Sequence, residues 1–359
     1  MKVNRSTILA IFAGVIQALL IHHFRMQTTN NLKAVSICNK EMSIQFSKWT
    51  SRFGKNYSTP AEAVHRMSVF CDALLKIRIH NSDQASTYRM GLNHMSDLDP
   101  REFYEKYATG KIFSKMKESA PVLEIDNLGG VMTPSSVDWS KMPVINRVYT
   151  KYNCQACYSF AATQLIEAVA YIQKGADFKL SQQDIIDCTS KRPYANEGCD
   201  GGCVYITMNY VKNIGIAQEA DYPYLSGITG MAGQCKENTK RLNLVSNYYK
   251  VPQGRSDLLK YLLASQPIAV GMDGRGIQYY SSGIYDGDSC STQANNFMLL
   301  VGYGEDSSIT DKYKSKYWII KNNQGSSWGM GGYMRLTRSE GQVPGKCGIT
   351  ENGVYIQLN

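Results

Sequence analysis

Cysteine and histidine divide this chain more sharply than any other residue types, and the division limits what its larger part can be. All five histidines (His22, His23, His65, His80 and His94) fall in the first 94 of 359 residues, so the remaining 359 − 94 = 265 carry no imidazole. Cys38 and Cys71 come early, whereas Cys154, Cys157, Cys188, Cys199, Cys203, Cys235, Cys290 and Cys347 all lie in the histidine-free part. That density of thiols implies disulfides and an oxidising compartment. Two other uses stay open at this point. Cys154-x-x-Cys157 with Cys199-x-x-x-Cys203 has the spacing of a four-thiolate zinc site, and a C-x-x-C pair can be redox-active, although the βαβ surroundings usual for that chemistry are missing here.

With 43% apolar and 19% charged residues the chain is ordinary globular material, which excludes a disordered, collagen-like or polytopic membrane protein. Its length corresponds to about two or three folding units. The net charge of +9 is mild, and no run of Lys and Arg interleaved with aromatics is present, so no nucleic-acid partner is expected.

Lys2 and Arg5 precede an apolar stretch from Ser6 to Ile21 that only Gln17 interrupts. Residues 1–40 therefore read as a signal peptide or an N-terminal membrane anchor, since the stretch falls between the length of a signal-peptide core and the ~20 residues of an upright membrane helix. A mitochondrial import sequence is the alternative, because residues 1–40 hold Lys2, Arg5, Arg25, Lys33 and Lys40 and no acid. Asn56-Tyr57-Ser58 is a glycosylation sequon if the chain is secretory.

Residues 41–107 read as helical, with Glu62, Arg66, Phe70, Ala73, Ile77 and Asn81 spaced so that all fall on one face. Gly91, Asn93, Met95 and Asp97 then alternate as in a short extended segment. Residues 108–133 read as a linker. Beyond Pro134 a helical stretch from Cys157 to Lys174 and a Cys/Gly-rich section come first, followed by strand-like runs at Pro267–Met272, Phe297–Tyr303, Tyr317–Lys321 and Tyr333–Leu336. That order predicts an α+β unit in which a helical lobe faces a sheet-rich lobe.

Asn153-Cys154-Gln155-Ala156-Cys157-Tyr158-Ser159-Phe160 resembles the nucleophile motif of papain-like cysteine proteases. Val137-Asp138-Trp139, Leu180-Ser181-Gln182-Gln183, Asp187-Cys188, Gly198-Cys199-Asp200-Gly201-Gly202, Tyr222-Pro223-Tyr224, Val301-Gly302-Tyr303-Gly304, Tyr317-Trp318-Ile319-Ile320-Lys321-Asn322 and Trp328-Gly329-Met330-Gly331-Gly332-Tyr333 follow in that family's order. The helical unit resembles the inhibitory propeptide of the cathepsin L-like branch, from which Ala73 and Met95 depart. The resemblance implies a papain-like two-lobe fold over residues 134–359, a cleft wall formed by Gly198, Asp200, Gly201 and Gly202, and disulfides Cys154–Cys199, Cys188–Cys235 and Cys290–Cys347. Since it already uses Cys154 and Cys199, it weighs against zinc, and neither metal nor cofactor is expected.

A cysteine in the first turn of a helix, as Cys157 is, faces unpaired backbone N–H groups and the positive end of the macrodipole, a setting that suits a nucleophile. Peptide hydrolysis also needs a proton carrier, a group to orient it and donors for the oxyanion. Carried over from the family, the orienting position is Asn322, but the histidine position is Asn296, the oxyanion glutamine position is Lys151, and the shielding tryptophan position is Gln324. A lysine base at Lys151 would require a strongly depressed pKa, and its place lies on the oxyanion side of the nucleophile. His94 is not expected to reach the nucleophile productively. General acid–base help is worth typically 10²–10⁴-fold, so the residues predict a papain-like homologue that is not an enzyme: a pseudopeptidase that binds a protein or peptide in its cleft, or serves as a subunit of a larger assembly. Its own residues 41–107 are then expected to stay attached over that cleft, with the N-terminus as a membrane tether. The alternative is an active or weakly active cysteine endopeptidase using Cys157 with a non-histidine partner.

Overall fold

The computed structural model describes residues 38–108, 120–125, 128, 132–341 and 343–359. The targeting stretch at residues 6–21 and most of the 108–133 linker lie outside these. Among the described residues no helix is long and apolar enough to cross a membrane.

The chain forms two compact units, one of residues up to Ile79 together with Ser96–Asp99, the other of His80–Met95 and Pro100–Asn359. In the first, α1 (Lys40–Phe53) begins at Asn39, whose side chain accepts from the Met42 N–H, and ends at Gly54 in the left-handed conformation. Helix α2 (Pro60–Ser82) carries the face read from the sequence: Phe70, Ala73 and Ile77 are buried together with Cys71 and Leu74. Phe46, Trp49 and Phe70 pack as a ring cluster, and a Cys38–Cys71 disulfide ties the start of α1 to α2. Asp97 is the polar centre of this unit. It receives Lys55 at 2.9 Å and the Tyr57 hydroxyl at 3.0 Å, while Arg66 donates to its backbone carbonyl.

The second unit contains the mixed core. Its first strand, β1 (Tyr88–Met90), pairs antiparallel with β5 (Tyr280–Tyr285), and the Asn81 side chain both donates to and accepts from the backbone of Met90. The alternation at residues 91–97 does not continue this strand. Asn93 Oδ1 accepts from the Met95 N–H, which bends the chain into a turn, while Asn93 Nδ2 donates to the Gln278 carbonyl. Helix α3 (Pro100–Tyr107) follows, with Phe103 buried.

The helical lobe is centred on α4 (Cys157–Lys174), buried on every side from Cys157 to Ala170 and closed by Gly175 at φ 65°. Around it lie α5 (Gln182–Cys188), α6 (Val204–Ile214) and the short α7 (Ser226–Thr229). The sheet lobe comprises β2 (Val137–Asp138), β3 (Val245–Lys250), helix α8 (Ser256–Leu263), β4 (Ile268–Met272), β5, β6 (Asn296–Glu305), β7 (Lys316–Lys321), β8 (Tyr333–Thr337) and β9 (Gly353–Leu358). Strand order is β1-β5-β8-β7-β6-β4-β9-β3, with β2 beside β6; among the described strands only the β5–β8 pair is parallel. Central β6 and β4 read as continuous apolar runs because both faces are covered.

Strand β2 approaches β6 so closely that a Cβ added at Gly302 would lie 2.1 Å from the Val137 carbonyl oxygen. A Gly302→Ala substitution must push β2 away. Thermal unfolding of that variant should show a loss of about 1–3 kcal/mol; a wild-type melting temperature would contradict this packing.

Candidate active site

The loop before α4 is held by a Cys154–Cys199 disulfide and by a 3.0 Å hydrogen bond from the Gln155 N–H to the Cys199 carbonyl. The first turn of α4 thus lies against the Gly198–Gly202 wall. Ala156 at the N-cap supplies no side-chain acceptor, so no cap side chain uses the N–H groups beside Cys157. The Tyr158 hydroxyl donates to the Gly198 carbonyl at 2.9 Å. Gly202 leaves no room for a side chain, since a Cβ there would lie 2.6 Å from the Tyr158 ring and 2.8 Å from Asn196 Oδ1. Cys188–Cys235 and Cys290–Cys347 are also bonded, which leaves Cys157 and Cys203 as free, buried thiols. With Cys154 and Cys199 joined to each other, the four-thiolate zinc arrangement cannot form, and among the described residues no group of side chains could hold a metal ion. Both free thiols sit at helix starts, Cys157 as the first residue of α4 and Cys203 as the N-cap of α6, where burial pushes the Cys203 thiol up to about 12.

Lys151 is 1% exposed. Its backbone is gripped from two directions: its N–H donates to the Asn323 carbonyl at 3.1 Å, and its own carbonyl accepts from the Tyr224 hydroxyl at 2.7 Å. The side chain therefore has a fixed origin. The amine donates to the Tyr107 carbonyl at 3.4 Å and lies over the Tyr107 ring at 5.3 Å. Burial pushes the Lys151 amine below its usual range, and the charge of Cys157 acts in the opposite sense. Desolvation thus acts in the direction that a lysine base requires. Gln155 donates to the Glu105 carbonyl, so the last turn of α3 covers this end of the site. His94 also reaches this domain, but at Ser327, with Nδ1 2.8 Å from the hydroxyl.

The other positions carried over from the family are all buried amides. Asn296 opens β6, and neither atom of its amide has a hydrogen-bond partner among the described residues. Asn322 Oδ1 accepts from the Asn323 N–H at 2.8 Å, while its Nδ2 is unpartnered, as are both amide atoms of Gln324. Asn296 and Asn322 are not bonded to each other. Unpartnered buried amides of this number have room in their hydrogen-bonding to take water.

A second titratable pair escaped the sequence reading, because Glu167 and Lys321 are far apart along the chain. Glu167, 1% exposed on α4, accepts from the Leu180 N–H at 2.8 Å, and burial raises its pKa to about 7. Burial lowers Lys321 to about 7.

The sequence matches the family described as "Papain family cysteine protease" over residues 133–357 and the "Cathepsin propeptide inhibitor domain (I29)" over residues 46–103. Fruit bromelain of Ananas comosus is 32% identical over 323 residues, 89% of this chain and 88% of the relative. Ananain, from the same plant, is 30% identical and covers 88% of each. Among solved structures, a recombinant stem bromelain precursor superposes with a TM-score of 0.79 at 30% identity, over 89% of this chain and 99% of that one. A ragweed pollen cysteine protease, Amb a 11, in its proform gives 0.74 at 30% identity, over 89% and 96%. These findings overturn the expectation that the chain is not an enzyme: relatives matched over 88% of it are named as a cysteine proteinase and a probable cysteine protease. That expectation rested on the missing histidine and on setting aside Lys151, whose burial the residue type alone does not reveal.

The Glu167 carboxyl holds its proton more tightly folded than unfolded, so its stabilising contribution is complete below about 4.5 and is lost as pH rises through about 7. Glu167→Gln removes that loss. Its melting temperature relative to wild type should rise between pH 4.5 and pH 8, by an amount on the order of 2–3 kcal/mol in stability; a constant or falling difference would contradict the assignment.

Proposed function

The chain belongs to the papain family of cysteine proteases, and on that premise we propose that it is a cysteine endopeptidase, made as a precursor, in which Cys157 is the nucleophile and Lys151 carries the proton. The observation that carries this reading is the Lys151 amine, buried, pushed toward its neutral form and aimed at a backbone carbonyl. Buried lysines readily shift into the range of general bases.

The neutral amine takes the Cys157 proton, and the sulfur attacks the substrate carbonyl carbon. The carbonyl π pair moves onto oxygen. The ammonium just formed faces that oxygen where the Tyr107 carbonyl sits in the precursor, and the backbone N–H groups at the start of α4 add to its stabilisation. As the C–N bond breaks, the ammonium returns its proton to the leaving amine. Water then opens the thioester with Lys151 again accepting a proton. One side chain thus performs in sequence what the family divides between histidine and glutamine.

Residues Gly198, Asp200, Gly201 and Gly202 form the wall along which an extended peptide pairs. Until it is removed, the chain's own α3 occupies the Lys151 side, so the precursor is latent. Four disulfides support assembly in the secretory pathway rather than in mitochondria.

The test is turnover of a fluorogenic peptide by the chain cut at a protease site inserted within residues 126–131 and freed of its N-terminal part. Activity should vanish in Cys157→Ala and fall about 10²–10⁴-fold in Lys151→Met. Lys151→Arg, which keeps the charge but cannot accept a proton, should fall as far. Turnover no faster than that of Cys157→Ala, or full activity in Lys151→Arg, would refute the proposal.

A further inference from the structure

The sheet ends at β3, whose outer edge would otherwise present unpaired backbone groups. Residues 120–125 cover part of it. The Lys250 N–H donates to the Pro121 carbonyl at 2.8 Å, and the Leu123 N–H to the Lys250 carbonyl at 2.9 Å, which sets Val122 parallel to the strand. From Val122 onward the side chains alternate: Val122 and Glu124 are exposed, while Leu123 and Ile125 turn inward. They face a cavity of about 400 Å³ that is otherwise lined by Tyr261, Leu262, Ala264 and Ser265 at the end of α8 and by Tyr355 and Gln357 on the outer face of β9. The segment reads the groove by main-chain pairing plus two aliphatic side chains two residues apart, which is the general form of strand addition. It does not fill the cavity.

We propose that this groove is a peptide-docking exosite, covered in the precursor by residues 120–125 and opened, when cleavage on either side frees that piece, to an extended segment of another polypeptide. The partner's chemistry follows from the resident: a strand parallel to β3, aliphatic or aromatic at two positions separated by one exposed residue. Open volume beside Leu123 favours a larger side chain there. Nothing in this depends on how Cys157 reacts, so the exosite and the catalytic reading fail separately.

A fluorescent peptide of residues 119–126 tests it by anisotropy. It should bind the chain cut at protease sites inserted before residue 118 and after residue 127, and bind the intact chain at least tenfold more weakly. A peptide carrying Leu123→Asp and Ile125→Asp should lose at least tenfold on the cut chain, and one carrying Leu123→Phe should gain. To guard against damage by cutting, the intact chain bearing Leu123→Asp and Ile125→Asp displaces its own segment and should take up the wild-type peptide. Equal binding of the wild-type and Asp peptides overturns the proposal, as does binding by neither opened form. Retention of the freed piece through gel filtration also overturns it, since the segment is then a permanent strand.

Discussion

A lysine held out of water loses the solvation that keeps it charged, and the fold imposes that condition on Lys151 through its backbone rather than through a partner acid. Asn323 grips its N–H from the end of β7, and Tyr224 grips its carbonyl from the helical lobe. The amine consequently projects from a point fixed by both lobes. The central helix α4, buried around its whole circumference, fixes Cys157 with equal rigidity. The proposed chemistry requires both origins to be rigid, because a proton passes between thiol and amine only if neither can swing away.

Much of the fold was legible because motif spacing and periodicity report local structure. The run from Cys157 to Lys174 is a helix with those bounds, and the four apolar runs after residue 266 are strands. The inward face of α2 followed from spacing alone. Relations between distant segments were not legible: the Cys38–Cys71 bridge, the docking of β1 on β5 and the burial of Glu167 with Lys321 each depend on tertiary packing. The site divided the same way. Residue types at Asn296, Gln324 and Lys151 were readable as departures from the family, but what surrounds Lys151 was not, and the environment rather than the residue type sets its proton affinity.

The precursor holds its own chain at three places in the second unit. Strand β1 extends the sheet at β5, α3 places the Tyr107 carbonyl against the Lys151 amine, and residues 120–125 extend the opposite sheet edge at β3. Both sheet edges are therefore covered by chain preceding residue 126. On the two readings proposed above, removal of that chain would expose Cys157 and a strand edge together and so couple the onset of activity to the appearance of new binding surface.

The most direct test of the thiol–amine pair is the rate at which iodoacetamide alkylates Cys157 at pH 7 in the cut chain, read by peptide mass spectrometry so that Cys203 is counted separately. If Lys151 takes the thiol proton, Lys151→Met slows alkylation at Cys157 at least tenfold and leaves Cys203 unchanged. Equal rates at Cys157 in the two proteins would contradict the account.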